Sequence, residues 1–557
     1  MKLSKNIISK VLISAVAMSA GATFTSCDDL LDTKPQGVFT EEQIGEDEAT
    51  DIMVAAYATL LCHYFGNNES FAGPITNWVL DLRSDDALKG GDGVTMEGYM
   101  HQLEVGNVQS DNDVINFKWR NNFFSVSRCN TAIRALQSAN NMDEADRAAA
   151  IGEMKALRAY YYFDMLRLFQ KFPYFDETVE DPSSCRADEY TRQQIAEFIK
   201  QDLRDAYKVM KETQKDPGRF NKYVAAAILA RVDLFTSDWA EAGEYAGYVI
   251  SSGKYELYPN FLDMSKPEMN NQYESVMAIQ FSSANTPDQY NYNNCLNCTW
   301  SEGNLYGNGD DFYLASQNLV NAFRTDEQGL PYFDTFNDVD VLSVDYEGNV
   351  DPRLDFTVGR IGMYWRSYMY NEKWCRNIEM YGQYSGKKPY PSPDSPYVEK
   401  GIVPWGASSL NFQLIRYADV LLMRAEALIE QNTGLEEARQ LINDVRAKAS
   451  RSVDGSYTPI DCNPNVASYY VGQYPATGWT QDYARKAVRM ERRLELAMEG
   501  LRWFDLLRWG NAVEVVNAYY ASEVKHHSYY EGANLSEDEL YFPIPINQVD
   551  NAGDLYK

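Results

Sequence analysis

Residues 225–231 have the sequence AAAILAR and residues 418–424 have the sequence ADVLLMR, two versions of one helical pattern. Each stretch lies in a longer segment, 220–235 or 412–431, whose apolar residues recur at intervals of three and four. This spacing predicts amphipathic helices. Alanine at matching positions favours close contact between neighbouring helices.

A second helical segment follows each of these helices after a short polar turn, at 239–251 and 435–449. Antiparallel pairs of this kind are the units that stack in tetratricopeptide-type scaffolds. The two pairs are about 190 residues apart, so we expect a scaffold interrupted by other material. The alternative is a chance likeness between alanine-rich helices. Four more segments have helical spacing, the last with Thr191 as N-cap: Asp51–Cys62, Asn116–Gln137, Ile151–Phe169 and Thr191–Thr213.

The interruption, residues 255–410, is rich in Asn, Gly, Pro, Asp and Tyr and contains one short strand candidate, Ser275–Phe281. Between residues 290 and 410, 22 of 121 positions are aromatic, about 18% against 13% for the whole chain. Long irregular segments in a compact fold usually carry function. We therefore predict that ligand binding takes place in this region.

The charge of the chain excludes some classes of partner. It has 51 Lys and Arg against 80 Asp and Glu, a net charge of −29. Nucleic-acid binding requires clustered cations, and so does docking on an anionic membrane surface. The 45% hydrophobic content among 557 residues is that of a globular protein with a large core.

The N-terminus has the pattern of an export signal. Lys2, Lys5 and Lys10 are followed by an apolar run over residues 11–20, and Cys27 comes soon afterwards. The run is too short to span a bilayer. We predict a lipoprotein signal peptide over residues 1–26, lipid attachment at Cys27 and a tether over residues 27–40. The alternative is an ordinary secretory peptide with an incidental cysteine.

The sequence contains no recognised catalytic motif: no nucleophile elbow, no zinc-protease motif and no P-loop. Its histidines are His63, His101, His526 and His527, and neighbouring side chains of the last two diverge. Calcium is a minor possibility at residues 308–311 and 337–340, although neither follows the spaced calcium-loop pattern. Turn residues are the alternative at both places, and no metal site is predicted.

Cys295 and Cys298 form a C-x-x-C motif outside any βαβ unit, with no second motif to complete a zinc site. We expect a local disulfide that stiffens the loop before Trp300. Free thiols are the alternative.

Several sequence blocks together resemble the SusD/RagB family of nutrient-binding lipoproteins of Bacteroidetes. The resemblance extends over nearly the whole chain after Cys27 and includes the helix pair at 220–251. The other blocks are Leu30–Pro35, Cys129–Ile133, Glu153–Phe163, Arg416–Glu426, Glu491–Gly510 and Tyr541–Pro545.

The resemblance implies a mostly α-helical fold of tetratricopeptide-like pairs, with a large irregular ligand-binding portion and a few short strands. The change in composition along the chain divides it into an N-terminal helical scaffold at 41–254, the ligand-binding region at 255–410 and a C-terminal helical scaffold at 411–557. The resemblance further implies a lipid anchor on the outer membrane facing the exterior, oligosaccharide binding without catalysis, and a SusC-like TonB-dependent transporter as partner. A peptide receptor, a surface glycosidase or protease, and a purely structural adaptor are the alternatives.

The ligand residues of the family vary, so the candidates are chosen from composition and loop position. Flat aromatic faces suit the C–H faces of sugars, and Asp, Asn and Arg suit the hydroxyls. Packing in the core is the alternative for each aromatic residue. The candidates are Trp78, Trp300, Tyr306, Asp310, Trp365, Arg366, Trp374, Tyr390 and Tyr397, with Asp81 and Arg83 beside Trp78.

A run of charged residues occupies one or two predicted helices near the C-terminus. Its members are Glu491, Arg492, Arg493, Glu495, Glu499, Arg502, Asp505 and Arg508. Opposite charges recur at intervals of three and four, which predicts ion pairs that lock the scaffold. A charged substrate groove is the alternative.

Overall fold

The computed structural model describes residues 44–61, 73, 76–282, 291, 295–300, 305–307, 309–342, 346–400, 407–453 and 461–556. The predicted signal peptide, Cys27 and the tether lie outside these residues. No helix within the described ranges is long and apolar enough to cross a membrane.

Helices form most of the regular structure. They are α1 (Glu46–Tyr57), α2 (Trp78–Asp81), α3 (Gly98–Glu104), α4 (Asp113–Ser138), α5 (Glu144–Leu168), α6 (Arg192–Val209), α7 (Lys222–Phe235), α8 (Trp239–Ser251), α9 (Gln317–Ala322), α10 (Arg353–Thr357), α11 (Ile378–Tyr381), α12 (Tyr417–Glu430), α13 (Leu435–Arg451), α14 (Gln481–Leu496), α15 (Arg502–Arg508), α16 (Ala512–Glu523) and α17 (Ile546–Ala552). The mostly helical fold class is confirmed.

The strands are short. They are β1 (Ala87–Gly90), β2 (Ser275–Ile279), β3 (Phe312–Ala315), β4 (Arg324–Thr325), β5 (Asn349–Val350), β6 (Val358–Gly359), β7 (Tyr364–Trp365), β8 (Tyr368–Met369), β9 (Ser385–Gly386), β10 (Val398–Glu399), β11 (Ala407–Ser408), β12 (Phe412–Arg416) and β13 (Ser468–Tyr469). Four of them form the largest sheet among the described residues, in the order β1-β3-β9-β6. This sheet joins the N-terminal part of the chain to the interruption.

The two helix pairs are neighbours in space despite their separation in sequence. Arg231 at the end of the first motif donates to Asp419 in the second, with 2.6 Å between Nη2 and Oδ2. Arg424 donates to the carbonyl oxygen of Gly243 at 2.7 Å. Gly243 faces Ala427 across this contact, and a Cβ at Gly243 would lie 3.4 Å from the Cβ of Ala427, so α8 and α12 meet through small residues.

The helix ends follow the cap residues more closely than the apolar pattern. Thr191 accepts from the N–H of Gln194, whose side chain accepts in return from the N–H of Thr191, so a capping box begins α6. The segment 412–431 is only partly helical. Residues 412–416 form β12, antiparallel to β2, and α12 begins at Tyr417. The predicted start was wrong because Leu414 and Ile415 are buried on a strand that completes β2.

Buried charges on α14 bind the interruption to the scaffold. Glu495 is fully buried and lies 2.9 Å from Arg416, 2.7 Å from Lys448 and 3.1 Å from Arg353. Burial alone would raise the pKa of Glu495, but these cations outweigh it and hold the pKa well below its ordinary value. Arg353 belongs to the interruption, so its ion pair fixes that region to α14.

The remaining charged residues of the run also form internal ion pairs. Arg492 pairs with Asp419 and Asp505, Arg493 with Asp85 and Asp86, Arg502 with Asp85, Arg508 with Glu426 and Asp505, Glu491 with Arg353 and Arg446, and Glu499 with Lys388 and Arg416. The scaffold interpretation therefore describes them correctly. Arg508 and Asp505 pair at the expected spacing of three, Arg492 reaches Asp505 across 13 positions, and the other partners named here lie outside the run.

Candidate functional site

Five buried rings form a continuous layer within the interruption, called here the aromatic layer. They are Tyr306, Trp365, Tyr370, Trp374 and Tyr390. Trp365 and Tyr370 stack with ring centres 5.8 Å apart and planes inclined by 15°. The indole N–H of Trp365 donates to Tyr306 at 3.0 Å, and the hydroxyl of Tyr306 donates to the carbonyl oxygen of Pro391 at 2.6 Å. The layer is therefore a packed, hydrogen-bonded floor for the loops around it.

A tight hairpin holds Trp365 in this layer. Strands β7 and β8 pair through Trp365 and Tyr368, which leaves Arg366 and Ser367 as the two turn residues. Both have positive φ, 46° and 76°, as a type I′ turn requires. The strain of this conformation in non-glycine residues is offset by the buried Arg366 guanidinium, which lies 2.6 Å from Asp461.

The candidate residues fall into two groups by exposure. Trp78, Tyr306, Trp365, Arg366, Trp374 and Tyr390 are buried, so they offer no open face to a ligand in this conformation. The loop-rich composition is typical of both packed and exposed rings, and the burial follows from contacts between distant segments. Trp300 is 36% exposed, Tyr397 is 37% exposed and Asp310 is partly exposed. Contact with a ligand remains a proposal for these three.

Trp300, Asp310 and Arg376 form one surface feature, called here the Trp300 platform. The guanidinium of Arg376 lies 4.5 Å from the centre of the Trp300 ring and pairs with the carboxylate of Asp310. This cation–π contact holds the indole while more than a third of the side chain stays accessible. The platform thus joins a flat apolar face to oriented hydrogen-bonding groups.

Backbone hydrogen bonds fix the loop that carries the platform. The N–H groups of Gly309, Asp310 and Asp311 donate to Thr299, Leu296 and Cys298, at 3.2, 3.0 and 3.1 Å. Gly309 is required here because a Cβ would lie 1.8 Å from the carbonyl oxygen of Cys298. Asp310 and Trp300 are therefore held side by side.

A second loop, residues 90–97, joins the platform from the N-terminal part of the chain. The N–H of Gly91 donates to the carbonyl oxygen of Asp311 at 3.0 Å, and Asn377 Nδ2 donates to that of Asp92 at 2.6 Å. Buried Lys89 holds the loop from beneath and donates to the carbonyls of Gly90, Gly93 and Met96 at 3.0, 2.8 and 2.8 Å.

Sequence reasoning missed Lys89, Arg376 and Asn377. The glycine-rich run Gly90–Gly93 predicts a turn, and no spacing relates it to residues almost 300 positions later. The β1–β3 pairing, a contact between distant parts of the chain, brings the two loops together.

Two buried groups beneath the platform have displaced pKa values. Asp311 accepts from Ser385 Oγ at 2.7 Å and from the N–H of Arg376 at 3.0 Å, yet burial raises its pKa to about 6. Burial lowers the pKa of Lys89 to about 8, although Glu104 opposes this. Both groups shape the loops from below.

Trp78 lies apart from the platform, at the junction of the scaffold and the interruption. It lines a small cleft with Asn291, Lys388, Asn411 and Gln413 among others. The cleft has a volume of about 70 Å³, well below the roughly 300 Å³ at which ligand pockets begin.

The two residues beside Trp78 have structural partners. Asp81 accepts from Tyr313 at 2.6 Å, and Arg83 stacks on Trp503 at 4.0 Å.

Acidic residues of the two calcium candidates, 308–311 and 337–340, have hydrogen-bond and ion-pair partners within the chain. Asp310 and Asp311 have the partners described above, and Asn321 donates to Asn337 and Asp340 at 2.6 and 2.9 Å. The side chain of Cys295 lies outside the described residues, so the Cys295–Cys298 disulfide stays a prediction.

Comparisons with known proteins give a consistent result. Residues 273–557 match the family model described as "SusD family", and residues 75–234 match one described as "Starch-binding associating with outer membrane". A SusD-like protein P2 of Formosa agariphila is 27% identical over 504 residues, which cover 88% of this chain and 90% of that protein.

Solved structures show the same fold. A SusD-like carbohydrate-binding protein of Bacteroides fragilis superimposes with a TM-score of 0.72 at 20% identity and covers 93% of this chain and 100% of its own. Surface glycan-binding protein A of Bacteroides thetaiotaomicron, in complex with laminarihexaose, gives a TM-score of 0.69 at 20% identity, with coverage of 92% and 98%.

Proposed function

Because this chain belongs to the SusD family, we propose that it binds oligosaccharides at the cell surface and passes them to a SusC-like TonB-dependent transporter. The Trp300 platform is the observation that carries this proposal. It offers an accessible indole beside a carboxylate and a guanidinium on a rigid base. Two proteins of the same fold support it: surface glycan-binding protein A of Bacteroides thetaiotaomicron, in complex with laminarihexaose, and the SusD-like carbohydrate-binding protein of Bacteroides fragilis.

Binding at the platform requires no bond breaking. The exposed Trp300 face packs against the C–H face of a sugar ring, a contact that costs little conformational entropy because Arg376 already holds the indole. The free lone pairs of Asp310 accept hydrogen bonds from sugar hydroxyls. Tyr397 is proposed as a further contact; it directly precedes β10, and the N–H of Ser409 donates to its carbonyl oxygen at 3.1 Å.

The experiment that tests this function is affinity electrophoresis of residues 28–557 through gels that contain starch, laminarin, fructan, xylan, mannan, pectin or host glycans. We expect one glycan to retard the protein and Trp300→Ala to abolish the retardation. Tyr248→Ala is the matched control, because Tyr248 has the same 36% exposure but lies on α8 of the scaffold. Retardation that survives Trp300→Ala would contradict the platform as the site.

Other outcomes separate the alternatives. Salt-sensitive binding of cationic peptides without glycan binding would favour a peptide receptor, as the charge of −29 permits. Release of shorter products from a retained glycan would indicate a glycosidase.

The location and the partner are tested on the native membrane. We propose that Cys27 carries a lipid that anchors the chain to the outer membrane, facing the exterior. Palmitate labelling that disappears in Cys27→Ala supports the anchor, and unchanged labelling contradicts it. Co-purification of a TonB-dependent transporter with the anchored chain tests the partner.

A further inference from the structure

A pocket of about 300 Å³ lies on the C-terminal scaffold, between α14, α15, the start of α16 and residues 333–336. It is called here the Arg489 pocket and is formed mainly by Phe333, Lys486, Arg489, Arg493, Arg502 and Trp509. Its volume is at the lower end of the range for small-ligand sites. It shares no lining residue with the Trp300 platform.

The pocket is cationic in an acidic protein. Lys486, Arg489 and Arg493 lie three and four positions apart on α14, so they share one face of the helix. With Arg502 they give four cationic lining residues against two acidic ones, Asp85 and Asp334, whereas the whole chain carries −29. An excess of positive charge in a concave site attracts anions.

The guanidinium groups of Arg493 and Arg502 are each held by two hydrogen bonds and keep one terminal nitrogen available to a ligand. Arg493 directs Nε to Asp86 at 2.8 Å and Nη2 to Asn318 at 2.6 Å. Arg502 directs Nε and Nη2 to Asp85 at 2.8 and 3.0 Å. Within the described chain, Nη1 of neither residue has a hydrogen-bond partner. Both residues are therefore preorganised donors that a bound oxyanion could engage.

Arg489 differs from the other arginines of α14. Arg492 and Arg493 each hydrogen-bond to a buried carboxylate below 3 Å, whereas the nearest carboxylate oxygen to Arg489 belongs to Glu430 at 3.9 Å. Its Nε is buried without a hydrogen-bond partner among the described residues. The guanidinium lies 4.8 Å from the centre of the Trp509 ring, a stacking contact that leaves its nitrogen edges free to donate.

Arg489 has lost part of its hydration without gaining a close ion pair, and 31% of its side chain stays exposed towards the pocket side of the scaffold surface. Burial lowers the pKa of Arg489 below its ordinary value, because carboxylates nearby only partly offset the lost hydration. Apolar walls from Phe333, Phe336 and Val515 face the same space. A ligand that fits both parts has a charged oxyanion and an apolar ring face.

We propose that the Arg489 pocket binds a sugar unit that carries an oxyanion, either a uronate carboxylate or a sulfate ester, at a site separate from the Trp300 platform. The oxyanion accepts from Arg489, Arg493 and Arg502, and Lys486 contributes attraction at the rim. The ring lies against the apolar wall. This assignment does not depend on the glycan recognised at the platform.

Titration calorimetry of residues 28–557 with sodium glucuronate and galactose 6-sulfate tests the proposal, with glucose as the neutral control. We expect at least one of the anions to bind, glucose not to bind, and affinity to fall with added salt. Arg489→Gln should weaken binding by about tenfold or more, the loss of one charge-assisted contact. Lack of binding by both anions would overturn the proposal.

Variants at the rim of the pocket test the site even if Arg489→Gln does not fold correctly. Lys486 is half exposed and pairs with exposed Asp334 at 2.6 Å, so neither residue is needed for the core. Lys486→Gln should weaken the anion about twofold, and Asp334→Asn should strengthen it by a similar factor, because a competing carboxylate is removed. Tyr248→Ala should leave the affinity unchanged. If Arg489→Gln, Lys486→Gln and Asp334→Asn all bind the anion with the same affinity as the Tyr248→Ala control, the site is contradicted.

The same oxyanion chemistry occurs in lipid headgroups. Vesicles that contain phosphatidylglycerol therefore form a separate arm of the test. If they bind in an Arg489-dependent manner while both sugars do not, the pocket recognises a membrane lipid and the sugar assignment is wrong.

Discussion

The neighbourhood of Glu495 and the aromatic layer are both buried, but different forces hold them. Around Glu495 of α14, cationic side chains from β12, α13 and α10 neutralise the buried carboxylate. In the aromatic layer, large rings pack against one another with few hydrogen bonds, and the neighbouring charges of Arg366 and Lys387 are both paired with Asp461. The comparison shows that buried ion pairs in the scaffold determine which segments pack together, whereas ring packing in the aromatic layer determines the shape of the loop surface.

The first prediction breaks the charged region. Glu495→Ala leaves Arg353, Arg416 and Lys448 without a shared partner, and uncompensated buried charge is costly. We expect the free energy of unfolding to fall by about 3–5 kcal/mol, towards the upper end, measured by chemical denaturation. Glu436 is the control because its pair with Arg439 is exposed, and Glu436→Gln should leave the denaturation midpoint nearly unchanged. A loss below about 1 kcal/mol for Glu495→Ala would mean that the cluster is not a lock.

The second prediction breaks the layer. Trp365→Ala removes a fully buried ring that contacts Tyr370 and donates to Tyr306, and it leaves a cavity. We expect a loss of about 3–4 kcal/mol in the free energy of unfolding, together with loss of glycan retardation. Tyr397→Ala serves as the exposed control and should keep its stability. Retardation that persists in Trp365→Ala would show that the layer does not support the platform.

The third prediction concerns pH. Asp311 has a folded-state pKa of about 6, above the unfolded value, so the native state binds its proton more tightly. Its contribution to stability is therefore present below about pH 4 and is lost as pH rises through 6. We expect the stability of wild type relative to Asp311→Asn to fall by about 2–3 kcal/mol between pH 4 and pH 7. A relative stability that does not change with pH would contradict the assignment.

These pH experiments concern one residue only. Carboxylates with lowered pKa values, such as Glu426 at about 2, stabilise the native state more as pH rises. They are present in both wild type and Asp311→Asn, so their effect cancels when the two stabilities are subtracted.

The last prediction sharpens the contrast at the surface. Trp300→Ala should change the free energy of unfolding by less than about 0.5 kcal/mol, because the ring is at the edge of the loop. Binding should weaken by about tenfold or more, equivalent to roughly 1.4 kcal/mol. Thermal melts and affinity gels measure the two effects independently. A large loss of stability would place Trp300 in the core region instead.

How far the sequence predicts the structure differs between these regions. The helices of the scaffold were predictable because cap and periodicity are local, as at Thr191 in α6. The ion pairs were predicted in kind but not in partner, since Glu495 meets Arg353 across 142 positions. The β12 strand was not expected, because its buried Leu414 and Ile415 also fit a helical pattern.

The candidate site was predicted only in part for the same physical reason. Trp300 and Trp365 have similar loop contexts, and their different exposure depends on contacts that loops make with distant segments. The hairpin turn at Arg366 and Ser367 gives no sequence signal, since glycine or asparagine is the usual residue for positive φ. Arg376 could be identified only once its contact with Trp300 was visible.

Lys89 has a consequence beyond the geometry of its loop. Three carbonyl oxygens converge on its ammonium, so a charged side chain holds the loop together by the kind of oxygen contacts that a bound calcium ion makes in other proteins. Because the Lys89 ammonium is part of the chain, chelators cannot remove it, and a low calcium concentration does not affect it. Its vulnerability is alkalinity, because deprotonation near pH 8 would weaken all three contacts at once.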